Sequence, residues 1–150
     1  MTQGVGTSTG KNSTSVRSFF DTNVLLYAED RASPEKRKRA EALIADHWRA
    51  GTLVVSTQVL QEYFVAATRK LGVPVEAARR RVELLGALDV VPIRQDDILL
   101  AIDLHRLHRF SFWDALITTA AQVSGCRVLF SEDMQHERNI SGVRIVDPFA

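Results

Sequence analysis

Cysteine is nearly absent from this sequence, with Cys126 as the single one among 150 residues. One thiol cannot form an internal disulfide, so the small disulfide-stabilised folds of secreted proteins are excluded. Long apolar runs are missing as well, since no segment reaches the ~18 uninterrupted apolar residues of a membrane helix. The first fifteen residues lack the apolar segment of a secretory signal. We therefore expect a cytoplasmic protein with no membrane partner.

Charge of one sign is not in excess either. Nineteen Lys and Arg residues face eighteen Asp and Glu residues, so the net charge alone indicates no class of partner. The 45% of hydrophobic and 25% of charged residues are typical of a globular protein rather than a disordered one. A chain of 150 residues is long enough to bury a core and is the usual length of one domain.

The N-terminal segment differs in composition from the rest of the chain. Residues 1–15 consist mainly of Gly, Ser, Thr and Asn, with almost no apolar side chains. Such a segment cannot bury enough surface to offset its conformational entropy. We therefore predict a disordered tail over residues 1–15, followed by one domain over residues 16–150.

From Val16 onward, short apolar runs alternate with longer segments that have helical periodicity. The predicted strands are 16–20, 53–56, 89–93, 127–130 and 143–146, and the predicted helices are 23–30, 33–51, 57–72, 75–88, 96–109 and 111–125. Strands that are apolar almost throughout and alternate with helices are typical of a parallel sheet covered on both faces. The sequence therefore predicts an α/β fold.

Four carboxylates occupy comparable places in this pattern. Asp21 ends the first strand, and Asp133 lies just past the strand 127–130. Glu62 and Asp114 each interrupt an apolar helix near its start. In an open parallel sheet, the carboxyl ends of the strands and the starts of the following helices share one rim. All four acids are therefore expected to meet there.

Four carboxylates in one place repel one another unless a cation neutralises them. Mg²⁺ and Mn²⁺ are hard ions that prefer oxygen ligands of this kind. A pair of such ions ~3.5–4 Å apart can hold a phosphodiester and activate water for in-line attack. Asn23 and Ser131, beside two of the acids, are expected to orient water or phosphate.

Each acid also has an ordinary structural interpretation when it is taken alone. Asp21 suits a helix N-cap, and Ser111 with Asp114 suits a capping box. Glu62 suits a solvated helical stripe, and Asp133 suits a polar turn. The catalytic interpretation depends on all four acids reaching the same rim.

Four motifs that contain these acids resemble a known family. FDTNVLLY, LQEYF, SFWDALI and LFSEDMQH, in this order and spacing, are similar to the motifs of the PIN-domain family and most of all to the VapC-type toxins of type II toxin–antitoxin systems. The likeness covers residues 17–149. It implies a three-layer α/β/α fold with a central parallel sheet of about five strands, and metal-dependent endoribonuclease activity. It also implies an RNA substrate, a homodimer, and a small VapB-like antitoxin that covers the acidic cleft.

The resemblance assigns roles to particular residues. Asp21, Glu62, Asp114 and Asp133 match the acidic quartet, and Ser131 matches the hydroxyl residue two positions before the last acid. Asp21 and Asp114 match the positions that hold Mg²⁺. One position departs from the family, because many relatives have glycine directly after the histidine of the last motif, where this chain has Glu137 after His136. This departure leaves open the shape of the loop that carries Asp133.

Other functions compete with a toxin. A housekeeping RNA-processing nuclease would have the same fold without an antitoxin, and a non-catalytic PIN module would bind without cutting. A phosphatase with Asp21 as its nucleophile would need a second Asp two residues later. This chain has Asn23 there, which argues against a phosphatase. Three groups of basic residues are candidates for an RNA path: Lys36 to Arg39, Arg69 with Lys70, and Arg79 to Arg81. His105 and His108 are expected to be surface residues, and Trp113 is expected to pack in the core or at the rim.

Overall fold

The structure is a computed structural model that describes residues 14–150, and a six-stranded sheet forms its centre. The strands are β1 (Ser18–Phe20), β2 (Leu53–Ser56), β3 (Asp89–Val91), β4 (Val128–Phe130), β5 (Asn139–Ile140) and β6 (Val143–Val146). Their order across the sheet is β3-β2-β1-β4-β6-β5. The five parallel strands that the sequence predicts are confirmed, and β5 is an additional edge strand that pairs antiparallel with β6.

Six helices connect and cover the strands. They are α1 (Thr22–Tyr27), α2 (Pro34–Ala50), α3 (Thr57–Arg69), α4 (Val75–Leu85), α5 (Gln95–His108) and α6 (Phe112–Val123). The α2 helix begins at Pro34 and ends before Gly51, whose φ of 73° suits a residue without a Cβ. Among residues 14–150, no helix is both long and apolar enough to cross a lipid bilayer.

The core lies against both faces of the central strands. Every residue of β1, β2 and β4 is buried, which is why the sequences of these strands are apolar almost throughout and do not alternate. Phe19, Val54 and Leu129 on neighbouring strands are fully buried. The α/β fold with helices flanking the sheet is therefore as predicted.

The boundaries differ from the prediction where local chemistry stops an element. The predicted strand 89–93 ends at Val91, because Pro92 has no backbone N–H for the ladder. The predicted helix 75–88 ends at Leu85, and its cap is Gly86. The tail predicted for residues 1–15 lies outside the described residues except for Thr14 and Ser15.

Strand register determines where the first site residues fall. Phe20, the last residue of β1, is aligned with Phe130, the last residue of β4. The next residues, Asp21 and Ser131, therefore leave the sheet side by side at its carboxyl rim. The α1 helix begins immediately after Asp21, and α3 begins immediately after β2. The starts of both helices consequently lie at the same rim.

Candidate active site

Asp21 is the most deeply buried acid at this rim, with 6% of its surface exposed. Its Oδ1 accepts a hydrogen bond of 2.7 Å from the backbone N–H of Thr22, and its Oδ2 accepts one of 2.7 Å from the hydroxyl of Ser131. Burial raises the pKa of Asp21 to about 7, although these two hydrogen bonds oppose the shift. The negative charges of Asp114 and Glu62 add to it. Asp21 is therefore both the N-cap of α1 and a carboxyl group for which ionisation is unfavourable in the absence of a cation.

Glu62 lies in the second turn of α3 and is half-buried, so it is not on a solvated stripe. Its Oε1 accepts a hydrogen bond of 2.7 Å from the hydroxyl of Thr22. Its Oε2 accepts one of 3.0 Å from the amide of Gln58, one turn earlier on the same helix. Two neutral side chains therefore hold this carboxylate beside Asp21.

Asp114 occupies the first turn of α6. Its backbone N–H donates to the hydroxyl of Ser111 at 3.0 Å, so Ser111 is the N-cap of α6 and forms its half of the predicted capping box. Burial raises the pKa of Asp114 above its usual value, and the Ser111 hydroxyl opposes that shift. The charges of Asp133 and Glu62 raise the pKa further. Asp114 can therefore take part in the N-terminal cap of α6 through its backbone and still belong to the acidic cluster through its side chain.

Asp133 is exposed, and Asn23 connects it to the rest of the cluster. The Asn23 amide donates to Oδ2 of Asp133 at 2.9 Å and, over a longer 3.4 Å, to Oδ2 of Asp21. The Asn23 carbonyl accepts from the backbone N–H of Glu132 at 3.3 Å. Asn23 and Ser131 hence hold carboxylates in this structure, and the prediction that they orient water or phosphate stays a prediction.

These contacts bring all four predicted acids to one rim. A continuous chain of hydrogen bonds runs through Asp133, Asn23, Asp21, Thr22 and Glu62, and Asp114 joins it through its charge interactions with the other acids.

The family comparison is consistent with this arrangement. The PIN domain family model matches residues 18–139. The chain belongs to the PIN-domain family. No curated protein matches the chain in sequence at a significant level.

Solved structures of toxin–antitoxin proteins share the fold. A toxin–antitoxin complex from Klebsiella pneumoniae is 22% identical with a TM-score of 0.63, and the match covers 87% of this chain and 97% of that one. VapC20 from Mycobacterium tuberculosis, a toxin that cleaves the sarcin–ricin loop, is 21% identical with a TM-score of 0.62, covering 77% and 91%. DNA-bound VapBC from Salmonella typhimurium is 19% identical with a TM-score of 0.61, covering 89% and 98%. The PIN-domain resemblance drawn from the motifs is confirmed by the family model, and these structures show that the fold is shared with VapC-type toxins.

The donor set of this PIN domain fits a hard divalent ion in kind, because all the candidate ligands are carboxylate oxygens. Among residues 14–150, however, no group of three or more His, Cys, Asp or Glu side chains is gathered closely enough to hold a metal ion as it stands. Glu62 and Asp133 are instead engaged by neutral donors, Gln58 and Asn23 among them. Burial, together with the charges of the neighbouring acids, raises the pKa of Asp21 and of Asp114, and a bound cation would favour their ionised forms.

Sequence reasoning missed two residues that position the acids. Thr22 has no sequence signal of its own between Asp21 and Asn23, yet its hydroxyl donates to Glu62, forty residues away on α3. Gln58 has a local signal, because it lies four residues before Glu62 on the same face of a helix. Gln58 is also buried, which is unusual for a glutamine near the start of a surface helix.

A third missed feature anchors the loop that carries Ser131 and Asp133. Glu132, between them, accepts a hydrogen bond of 2.7 Å from the Tyr27 hydroxyl and forms an ion pair with Lys36. The Lys36 ammonium also lies 4.8 Å from the centre of the Tyr27 ring. Lys36 is one of the candidates for an RNA path, but its contacts with Glu132 and Tyr27 give it a structural role.

The loop that departs from the family keeps a backbone conformation that suits glycine. Glu137 has a φ of 66°, in the left-handed region that residues with a Cβ rarely adopt. Its backbone N–H donates to the carbonyl of Ile145 at 2.7 Å, and its side chain pairs with Arg144 at 3.1 Å. The loop therefore keeps the shape that glycine would give it, because Glu137 adopts the left-handed conformation despite the strain.

The remaining candidates divide between structural and exposed positions. His105 Nδ1 lies 2.6 Å from the Phe110 carbonyl oxygen, and His108 Nδ1 lies 2.9 Å from the Arg138 guanidinium. Neither histidine approaches the acidic rim through these contacts. Trp113 lies at the rim with 61% of its surface exposed, so core packing is wrong for this residue.

Proposed function

We propose that this PIN domain is a metal-dependent endoribonuclease and the toxin of a toxin–antitoxin pair. The observation that carries the proposal is Asp21, a buried carboxyl group whose pKa is raised to about 7 at a rim shared with three further acids. Such a cluster is unfavourable in a protein that only binds a partner, because it leaves like charges uncompensated. It is favourable in a nuclease, where a cation and a phosphodiester complete it.

Asp21 and Asp114 would hold Mg²⁺ or Mn²⁺, with Glu62 and Asp133 contributing to the same site. When bound, the ion supplies positive charge for the phosphodiester and activates water for in-line attack. The protein's own contribution is to fix the carboxylates. Ser131 and the backbone of Thr22 fix the two oxygens of Asp21, so this carboxyl group keeps one orientation before the substrate arrives.

A small VapB-like antitoxin is proposed to cover the acidic rim in the cytoplasm, and the toxin is active only after the antitoxin is removed. An acidic cleft attracts cations, and an Arg side chain can pair bidentately with carboxylates. An antitoxin tail that places Arg near Asp21 and Asp114 would compete with the divalent ion and block RNA at the same time. Inhibition should therefore weaken as Mg²⁺ is raised.

The test is RNA cleavage by the purified protein, with and without metal. EDTA should abolish cleavage, and excess Mg²⁺ or Mn²⁺ should restore it. Asp114→Asn should lower the rate by orders of magnitude, whereas Asp103→Asn, which neutralises an exposed acid on α5, should leave it unchanged. Full activity in chelator, or near-native activity of the Asp114 variant, would contradict the proposed mechanism.

A further inference from the structure

The exposure of Trp113 is not explained by packing. Tryptophan side chains usually bury a large apolar area, but 61% of this one faces solvent directly beside Asp114. Its ring meets the Phe112 ring edge to face, with 5.1 Å between centroids and 73° between planes. The indole is therefore supported on one side while much of its surface remains free for a ligand.

Trp113 forms one end of an open groove of about 560 Å³ along α3, which we call the α3 groove. Its lining includes Gln58, Glu62, Val65, Arg69, Lys70 and Trp113. The Gln58 amide donates to Glu62 at 3.0 Å and approaches the backbone oxygen of Trp113 at 3.4 Å. The groove thus begins at the acidic rim and continues away from it.

The far end of the α3 groove carries positive charge. Arg69 and Lys70 are exposed, and within the described residues neither forms an ion pair with a carboxylate. By contrast, Lys36 pairs with Glu132 and Arg81 pairs with Glu29. Of the three basic groups in the sequence, the pair at the end of α3 lines the groove that also contains Glu62, so it is placed to meet phosphate beside the rim.

The spacing suits an extended strand. Arg69 lies seven residues after Glu62 on α3, which is two helical turns and about 10 Å along the axis. Two turns return to the same face of the helix, so the cation and the acid line one groove. An aromatic face, a site for bond cleavage and two cations therefore follow one another along a single path.

We propose that the α3 groove binds an unpaired segment of RNA, with one base stacked on Trp113 and the backbone phosphates held by Arg69 and Lys70. This inference rests on the proposed function and specifies its substrate. An aromatic platform combined with cations is how proteins bind single strands, because every base offers a face to stack and every phosphate a charge. A base inside a duplex cannot reach the indole, so the segment must be single-stranded or lie in a loop.

Fluorescence tests the stacking directly, because the chain contains two tryptophans. Trp48→Phe leaves Trp113 as the only one, and Trp113→Phe leaves Trp48. A single-stranded oligoribonucleotide is titrated into each variant in EDTA, so that binding is measured without cleavage. We expect the RNA to quench Trp113 strongly and to leave Trp48 unaffected, and a duplex of the same sequence to quench Trp113 much less.

Affinity provides the second measurement. Trp113→Ala should weaken binding of the oligoribonucleotide by about 5- to 100-fold, and Trp113→Phe should weaken it less because it keeps an aromatic face. Arg69→Gln and Lys70→Gln should each lower the slope of log affinity against log salt by about 0.7. Arg80→Gln is the matched control, since Arg80 is exposed on α4 and lies near Glu83.

The outcomes separate this inference from the proposed function. If the wild-type protein cleaves RNA but binding leaves Trp113 fluorescence and the Trp113→Ala affinity unchanged, the α3 groove is not the RNA path. If a partner polypeptide protects Trp113 and RNA does not, the groove belongs to that partner and the inference is overturned. If the wild-type protein neither binds nor cleaves RNA, the proposed function fails with it.

Discussion

The hydroxyl of Thr22 donates to Oε1 of Glu62 at 2.7 Å and joins the start of α1 to the second turn of α3, forty residues apart in sequence. The backbone N–H of the same threonine donates to Asp21. One residue therefore orients two acids of the candidate active site, one through its side chain and one through its backbone. This arrangement explains how a short strand-to-helix junction can fix carboxylates that belong to different helices and strands.

Thr22→Val should lower RNA cleavage by about tenfold or more. Valine has nearly the same shape but no hydroxyl, so Glu62 loses one of its two fixing donors and gains freedom to turn away. The backbone bond to Asp21 is unaffected. Thr22→Ser keeps the hydroxyl and should retain most of the activity. Equal kcat/KM for the valine and serine variants would show that this hydrogen bond does not position Glu62 for catalysis.

Asp21→Asn should stabilise the metal-free protein at neutral pH. The pKa of Asp21 rises from 3.8 to about 7 on folding, so the folded state binds the proton more tightly. The wild-type protein therefore loses stability as pH rises from about 4 to 7, and the variant does not lose this contribution. An Asn amide keeps an oxygen for Thr22 and can donate to the Ser131 hydroxyl. At pH 7.5 we expect a gain of about 2 kcal/mol, or roughly 4–8 °C in Tm.

The pH dependence of Tm tests whether ionisation of Asp21 causes the expected stabilisation. The difference in Tm between Asp21→Asn and the wild type should vanish near pH 4 and grow toward pH 7. The exposed Asp103→Asn variant should show no such trend. A constant difference between the two proteins across this range would mean that ionisation of Asp21 is not its cause.

Glu137→Gly should stabilise the loop after His136. A non-glycine residue in the left-handed region costs roughly 1–2 kcal/mol, and glycine removes that cost. The lost ion pair with Arg144 is exposed and worth about 1 kcal/mol at most. Glu137→Ala loses the same ion pair but keeps the Cβ, so it is the matched control. Urea unfolding should place the glycine variant above the alanine variant by about 1 kcal/mol, and equal stabilities would argue against strain at this position.

His47 should make the fold sensitive to acid. Its ring is buried between Phe20 and Phe130, and burial lowers its pKa below the usual value. Since the Thr52 hydroxyl donates to the Thr14 carbonyl, the His47 ring donates to Thr52 from Nδ1. Its Nε2 is buried and has no hydrogen-bond partner among residues 14–150. The unfolded chain takes up a proton below pH 6.5 that the folded chain resists, so stability is lost as pH falls through this value.

The measurement is urea unfolding of the wild type and His47→Gln at pH 7.5 and 5.5. Glutamine can still donate to Thr52 but does not titrate. The wild type should lose up to about 1 kcal/mol more than the variant between the two pH values. Because Asp21 titrates in both proteins, its opposite trend cancels in the comparison. Parallel losses in the two proteins would exclude His47 as the acid-sensitive group.

Sedimentation should show a homodimer, as the family likeness implies. The α5 helix exposes several large apolar side chains, among them Leu99 at 53% and Leu107 at 75%. An exposed apolar face of this kind is typical of an interface between subunits. Leu99→Glu should therefore dissociate the dimer, whereas Leu84→Glu, at an exposed leucine on α4, is the control and should leave it intact. A single 16.8 kDa species of the wild type at tens of micromolar would contradict the prediction.

Much of the fold follows from local patterns in the sequence. The runs at β1, β2 and β4 are apolar except at Ser18 and Ser56, and the structure buries every position. The two-residue strand β5 has no such signal, because two residues are too few to show a period. It forms where Ser141 and Gly142, both with positive φ, turn the chain back against β6.

The sequence by itself determined the strand–helix order and the placement of the four acids at strand ends and helix starts, because those features depend on residues near one another in the chain. Only the tertiary structure decided which neutral side chains hold the acids and which cations remain available. The Thr22–Glu62 bond and the pairing of Lys36 with Glu132 depend on how distant elements pack. The register of β1 against β4 likewise places Ser131 beside Asp21 across 110 residues. Contacts over such separations are determined by the packed sheet and helices, and no local periodicity encodes them.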